Sequence, residues 1–468
     1  MRMLTVTLFR MAMVLLVPSG AGWAQNGVHS PSIGIQPSGS CPPAATKPYQ
    51  LTSLGLAHPL RTDLCGGSIS IELPENAPDE AWDNELMQRF QQMTGINVKI
   101  LRPGNDTTLV LKDYLNQFRA GAPQADVYAI DIVWPGLLAQ YAEDMRPAFS
   151  DLRGVAPVLV NNNTVNGKLV ALPYFVEVSL LYYRTDLLRK YGFERPPRTW
   201  KELEHQARVI QAGERADGNK NFWGYLWQGA ASEALTCNAL EWQSSQGGGS
   251  LVNKDGTVAL NRAIAADSWN RALDWIGTIS PPTVTNQLED DSLKMWKDGN
   301  AAFMRNWPYA YQESLQGDSK VRGKVAVTLL PMGEGRNGRH ADILGGFQLM
   351  VSRRSQNKEA VIELLKFLTS PEIQRLNAVS RGYAPVTVDL YKDPTVRHAA
   401  PFFATLGSIL LDGAIARPST ITGDKYDAIS AAYFTSLHDV LIRRMSAVSA
   451  VDELDRSLQG ILRRSSHD

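Results

Sequence analysis

The sequence predicts an α/β protein of two lobes with a ligand cleft between them. Three observations carry that expectation. Strands and helices alternate over residues 66–130 at the spacing of a parallel sheet with helices on both faces. An apolar, β-branched and aromatic stretch at 168–183 has the make-up of a buried strand crossing between lobes. A chain of 468 residues also exceeds what one hydrophobic core holds together, so it divides into two or three domains.

The elements follow in order. Arg2 and Arg10 flank an apolar run through Met11–Val17, and Gly22-Trp23-Ala24 puts small residues at −3 and −1 of a cleavage before Gln25. That is the pattern of a signal peptide over residues 1–24. The run is shorter than the roughly 20 residues a membrane span needs. Residues 25–65 are rich in Pro, Ser and Gly and read as a flexible linker or an extension packed loosely on the surface. An exported chain permits disulfides, so Cys41–Cys65 is the expected bond, with Cys237 a buried thiol. Ser38-Gly39-Ser40 before Cys41 lacks the leucine of a lipidation signal.

Ser68–Leu73, Ile96–Leu101 and Ala125–Ile130 are expected strands. Between them lie a helix Glu80–Met93, capped by Asp79 and ended by Gly95, and a helix Thr107–Ala120, stopped by Gly121. Parallel sheets place ligands beyond the carboxyl ends of their strands, here 75–80, 104–107 and 131–134. In the crossover, Val170–Pro173 and Val178–Tyr183 are strand, with Tyr174, Phe175 and Glu177 in a ligand-facing turn between them. Thr199 and Glu202 form a capping box. Helices are expected at 199–212, 230–246, 261–278 and 288–298, and strands at 300–305, 325–330 and 346–352. Residues 300–305 read as a second crossover. Pro371 opens a further helix, and two long amphipathic helices, 424–444 and 448–463, close the chain.

Charge is balanced at 47 basic and 47 acidic residues, which implies no general attraction to nucleic acid or anionic lipid. Gly333–Gly338 matches GxGxxG but lacks the strand before and helix after that a nucleotide site needs. No HExxH, CxxC, Walker loop or GxSxG occurs, and the seven histidines have no metal-ligand spacing. Neither a cofactor nor a metal is expected. Glu289-Asp290-Asp291 reads as a solvated turn before a helix rather than a cation site.

What remains is a set of rings and acids at element ends. Flat rings cover the CH faces of a pyranose, and carboxylates or guanidinium groups fix its hydroxyls. The candidate rings are Trp134, Phe175, Trp307, Tyr309 and Phe347, and the candidate polar groups are Glu80, Asp131, Glu177 and Arg417.

Four runs carry a resemblance: ALPYFVEVSLLYYRTDLLRKYGFERPPRTW, GERADGNKNFWGYLWQGAASEALTCNALEW, GNAAFMRNWPYAY and GGFQLMVS, joined by Ala416-Arg417-Pro418 and Tyr426. From about residue 66 onward the chain resembles the family 1 extracellular solute-binding proteins of bacterial ABC sugar importers, in particular their trehalose/maltose-binding group. The resemblance implies a periplasmic-binding-protein fold: two α/β lobes, three crossovers, and a disaccharide between the lobes. It assigns Glu80, in Ala77-Pro78-Asp79-Glu80, to sugar hydroxyls. Thr107 falls in the loop after the second strand, Asp131 at the acid position, and Trp307 at the stacking tryptophan. Gly345 and Gly346 match paired glycines near the sugar, and Arg417 an arginine that binds hydroxyls across the cleft. Three positions depart from the group: Phe175 stands for Tyr, Glu177 for Asp, and Phe347 for Trp, which leaves the sugar open.

The expected lobes are 66–175 with 304–372, and 176–303 with 373–463. The expected function is the binding subunit of an ABC importer for an α-linked disaccharide of the trehalose or maltose type. It would be periplasmic or otherwise extracytoplasmic, monomeric, not membrane-spanning, and partnered by permease subunits. The alternative is a secreted glycosidase using a carboxylate pair such as Asp131 and Glu177.

Overall fold

A computed structural model describes residues 41, 60–74, 77–104, 106–404, 406–407 and 414–463. The expected signal peptide and most of the expected linker lie outside the described residues. The strands are β1 (Ser68–Glu72), β2 (Asn97–Leu101), β3 (Val127–Asp131), a short hairpin of β4 (Thr164–Val165) and β5 (Lys168–Leu169), β6 (Leu172–Val178), β7 (Leu180–Arg184), β8 (Trp223–Leu226), β9 (Ala301–Asn306), β10 (Val325–Thr328) and β11 (Leu344–Val351). One sheet runs β2–β1–β3–β11–β6 and the other β10–β7–β9–β8.

Both sheets are mixed. β1 pairs in parallel with β2 and β3, but β11 runs antiparallel between β3 and β6. In the second sheet β8 and β9 are parallel, while β7 is antiparallel to β9 and β10. The parallel pairing expected over residues 66–130 is found in β1–β3, and β8–β9 is a further parallel pair. Helices cover these strands on both faces, which is why β3 is buried nearly end to end and β6 throughout.

The crossover departs from expectation. β6 continues through Tyr174, Phe175 and Glu177, so these residues lie in strand rather than in a turn. The break falls at Ser179, where the chain leaves the first sheet for the second. Ser179 and Ile343 exchange hydrogen bonds: the Ser179 N–H donates to the Ile343 carbonyl at 3.1 Å, and Ser179 Oγ accepts from the Ile343 N–H at 2.7 Å. Ile343 in turn forms a parallel bridge with Ile415. The chain thus passes between the sheets at three adjacent places, near 179, 343 and 415. The passage expected near residue 304 is absent, because β9 and β10 both pair with β7. The 373–463 segment is also divided. Its first part packs on the first sheet's side, through Trp82 Nε1 to Asn377 at 2.8 Å, Arg381 to Asp83 at 2.8 Å, and a bridge from Val176 to Ala384. Its last two helices, Tyr426–Leu441 and Ala447–Arg463, pack in the second core.

Tryptophan is spent mainly on cores. Trp200, Trp227, Trp242, Trp269, Trp275 and Trp296 are fully buried, and Trp227, Trp242 and Trp275 form an edge-on cluster that Trp200 joins at a tilt of 36°. Such pairs add roughly 0.5–1.5 kcal/mol each beyond area burial.

Cys41 and Cys65 are joined by a disulfide. Residues 60–65 also pack rather than trail: Leu60 is buried, and the Arg61 N–H donates to Glu363 at 3.0 Å on the helix Lys358–Leu368. Closing a loop of this length stabilises by roughly 3 kcal/mol through the unfolded chain. Reduction, or Cys41→Ser, should lower the denaturation midpoint while leaving ligand affinity unchanged, since neither cysteine lines the cleft described below. An unchanged midpoint would count against this role. No helix among the described residues is long and apolar enough to cross a membrane.

Candidate functional site

Where the three passages run, a cavity of about 310 Å³ opens between the two sheets. One wall is built from the carboxyl ends of β1–β3: Pro74, Pro103 and Gly104, then Asp106, Thr107 and Asp131. β6 and β11 contribute Phe175, Glu177, Gly345, Gly346 and Phe347. The facing wall comes from the starts of two helices, Glu233–Ser245 and Glu289–Lys297, and from Trp307 and Tyr309 just after β9. Arg417 lies at the third passage.

Eleven of the twelve candidate residues line this cavity; Glu80 does not. The helix begins at Ala77, with Pro78 in the first turn, where a fixed φ and a missing N–H cost nothing. Asp79 is therefore inside the helix rather than its cap, and Glu80 is exposed on it.

Arg417 is the hub of the polar network. Its side chain is almost wholly buried, and it donates to Glu233 Oε1 at 2.7 Å, to Asp131 Oδ1 at 3.3 Å and to the Leu344 carbonyl at 3.4 Å. The first carboxylate belongs to the second core's helix and the other to the end of β3, so one guanidinium ties the two walls. Glu233 also accepts from Tyr426 Oη, and from Ser430 Oγ at 2.5 Å. Burial raises the Asp131 carboxyl above the usual carboxylate range, against the pull of Arg417.

The rings form two groups. Phe175 stacks on Tyr383 with centroids 3.9 Å apart and planes at 21°, and lies 5.6 Å from Phe347. Arg381 covers Tyr383 at 4.2 Å. Across the cavity, Trp307 is 8 % exposed. Its Nε1 donates to Glu289 at 3.1 Å, and Arg305 sits 4.1 Å from its ring centroid. A Cβ at Gly345 would come within 2.9 Å of the Trp307 ring, and one at Gly346, where φ is +111°, within 2.4 Å of the Phe175 carbonyl. Gly345 lets β11 approach the Trp307 ring, and Gly346 lets it approach the β6 backbone. Trp134 is more core than wall, packed edge-on to Tyr114 at 6.0 Å. Burial, with Asp290 and Glu289 nearby, pushes the Tyr309 hydroxyl well above its ordinary range.

Sequence reasoning missed Tyr383, Glu233 and the inward role of Glu289; Asp106 falls in the expected ligand-facing stretch 104–107 but was not singled out. Tyr383 follows Gly382, whose left-handed φ of +71° ends the helix Pro371–Arg381 and sends the chain back to β6. The Ser232-Glu233 start of the helix Glu233–Ser245 was the available signal for Glu233. The acidic run 289–291 is a helix start, as expected, but it faces the cavity. Among the described residues no group of three His, Cys, Asp or Glu side chains is placed to hold a metal ion.

A family model described as bacterial extracellular solute-binding protein matches residues 74–375. A probable ABC transporter-binding protein of Deinococcus radiodurans is 42 % identical over 374 residues, covering 80 % of this chain and 88 % of its own. The sn-glycerol-3-phosphate-binding periplasmic protein UgpB of Agrobacterium fabrum is 25 % identical over 59 % of this chain and 64 % of its own. Among solved structures, maltose-bound T. maritima MalE3 superposes with a TM-score of 0.79 at 32 % identity, covering 84 % of this chain and all of that one.

Proposed function

Because the chain belongs to the bacterial extracellular solute-binding protein family, whose members are transport receptors and not enzymes, we propose that it delivers an α-linked disaccharide of the trehalose or maltose type to an ABC permease. It is the substrate-binding subunit of an ABC importer. The observation that carries the disaccharide reading is the pairing of two ring surfaces, Phe175–Tyr383 and Trp307, with carboxylates in a cavity of about 310 Å³. That volume lies at the lower end of the range for small-ligand sites. The likeness to a maltose-bound structure supports the same reading.

The sugar first meets one wall, through Thr107, Asp131 and the Phe175 ring. Trp307, Tyr309, Gly345, Gly346, Phe347 and Arg417 complete the enclosure. Ligand shifts the open and closed populations only by its differential affinity for the closed form, and the three adjacent passages near 179, 343 and 415 are the natural hinge. Glu177, at the end of β6, holds hydroxyls beside that hinge.

Isothermal calorimetry against trehalose, maltose, sucrose and cellobiose tests this. An α-linked disaccharide should bind at micromolar Kd or tighter, roughly 8 kcal/mol, with no glucose released on long incubation. Tight binding of a polyol or monosaccharide alone would remove the disaccharide; sustained glucose release would remove the receptor.

A further inference from the structure

Resting on the receptor reading, we propose that the cleft is a charge filter: it admits uncharged and amine-bearing saccharides and rejects phosphorylated and acidic ones. Family membership leaves the matter open, since a relative within reach of this chain is named for a phosphate ester.

The lining supplies seven carboxylates and, among the described residues, one guanidinium, that of Arg417. This guanidinium is committed, with Nη1 on Glu233 and Nη2 on Asp131. Its N–H at Nε is buried without a hydrogen-bond partner. One N–H suits a hydroxyl. Recognition of a phosphate or carboxylate instead draws on bidentate or multiple cationic donors.

The helix termini give a second, independent argument. A helix N-terminus ordinarily welcomes an anion through its unpaired N–H groups and its dipole. Three such termini reach this cleft, and each is met by a carboxylate of the chain itself. Asp106 accepts from the N–H groups of Thr108 and Leu109, at 2.9 and 3.2 Å, at the start of the helix Thr107–Arg119. Asp291 accepts from the Leu288 N–H at 3.0 Å. Glu233 occupies the first turn of its own helix. At the Asp106 cap the N–H groups an anion would use are already taken, and at all three termini the carboxylates repel it. A cleft of one sign with low-dielectric walls concentrates that field.

The test uses four matched ligands on the mature protein: maltose, its 6′-O-methyl ether, its 6′-phosphate and its 6′-amino-6′-deoxy derivative, titrated calorimetrically at low and high salt. The phosphate should bind at least tenfold more weakly than the methyl ether, and the gap should narrow as salt rises. The amine should bind at least as tightly as the methyl ether. A phosphate penalty below tenfold, a penalty indifferent to salt, or an amine weaker than the methyl ether overturns the filter while the receptor reading stands. Absence of binding by maltose and every other sugar of the disaccharide panel overturns the receptor reading, and the filter with it.

Discussion

Replacing Arg305 with Met should destabilise the protein by roughly 3–5 kcal/mol, the usual consequence of leaving one member of a buried ion pair alone. Arg305, in β9, and Glu241, in the helix Glu233–Ser245, are both inaccessible to solvent. Arg305 Nε lies 3.2 Å from each Glu241 oxygen, Nη2 bonds Oε1, and Nη1 donates to Gln228 at 3.2 Å. Without the guanidinium, Glu241 would be a carboxylate in a dry core, where burial already raises its pKa despite the arginine. The double variant Arg305→Met/Glu241→Leu removes both charges and should recover most of the loss, because well-packed apolar replacements of buried pairs are often neutral.

The same double variant isolates a second role. Arg305 covers the inner face of Trp307, a contact worth about 0.5–2 kcal/mol. A stable double variant should therefore bind sugar several-fold more weakly, with an altered tryptophan fluorescence response to ligand. Urea denaturation and calorimetry read the two effects separately. A double variant with wild-type affinity would show that Trp307 holds its orientation without Arg305, through Glu289 and Gly345 alone.

Much of this site was legible because the residues that make it also carry strong local signals. The strand–helix alternation of residues 66–130 fixed β1–β3, and a cleft at their carboxyl ends followed from sheet geometry. Asp131 and Trp134 fell where that rule puts them. What stayed hidden depends on pairing between distant segments. Nothing local in Val325–Thr328 says that it pairs with β7 rather than with the first sheet. β6 looked interrupted because Glu177 and Tyr174 are polar, yet both are enclosed by β11 and the helix ends beyond it. Tyr383 is a single ring after a glycine, and only the bridge from Val176 to Ala384 brings it to Phe175. Glu80 failed for a local reason: Pro78 lets the helix start early and leaves that side chain on an exposed face.

Replacing Arg417 with Met should weaken sugar binding at least tenfold and lower stability by roughly 3 kcal/mol, with the stability loss growing as pH rises. The guanidinium joins Asp131 to Glu233, so its removal leaves two carboxylates facing each other across the closed cleft, with Glu289 near Asp131 as well. The direction with pH follows from Asp131. Its folded carboxyl already titrates above the ordinary range because burial outweighs the attraction of Arg417. Loss of that attraction raises it further. The native state then holds more protons than the unfolded chain, and stability falls as pH climbs from the ordinary carboxylate value, about 4, through the raised one. The deficit of the variant should accordingly be smaller at pH 5 than at pH 8 by urea denaturation. Adding Asp131→Asn should restore stability at pH 8 but not affinity, since the guanidinium and the charged acceptor are both gone. A deficit equal at the two pH values would mean that Arg417 does not tie the walls through Asp131, and wild-type affinity in the single variant that it does not meet the ligand.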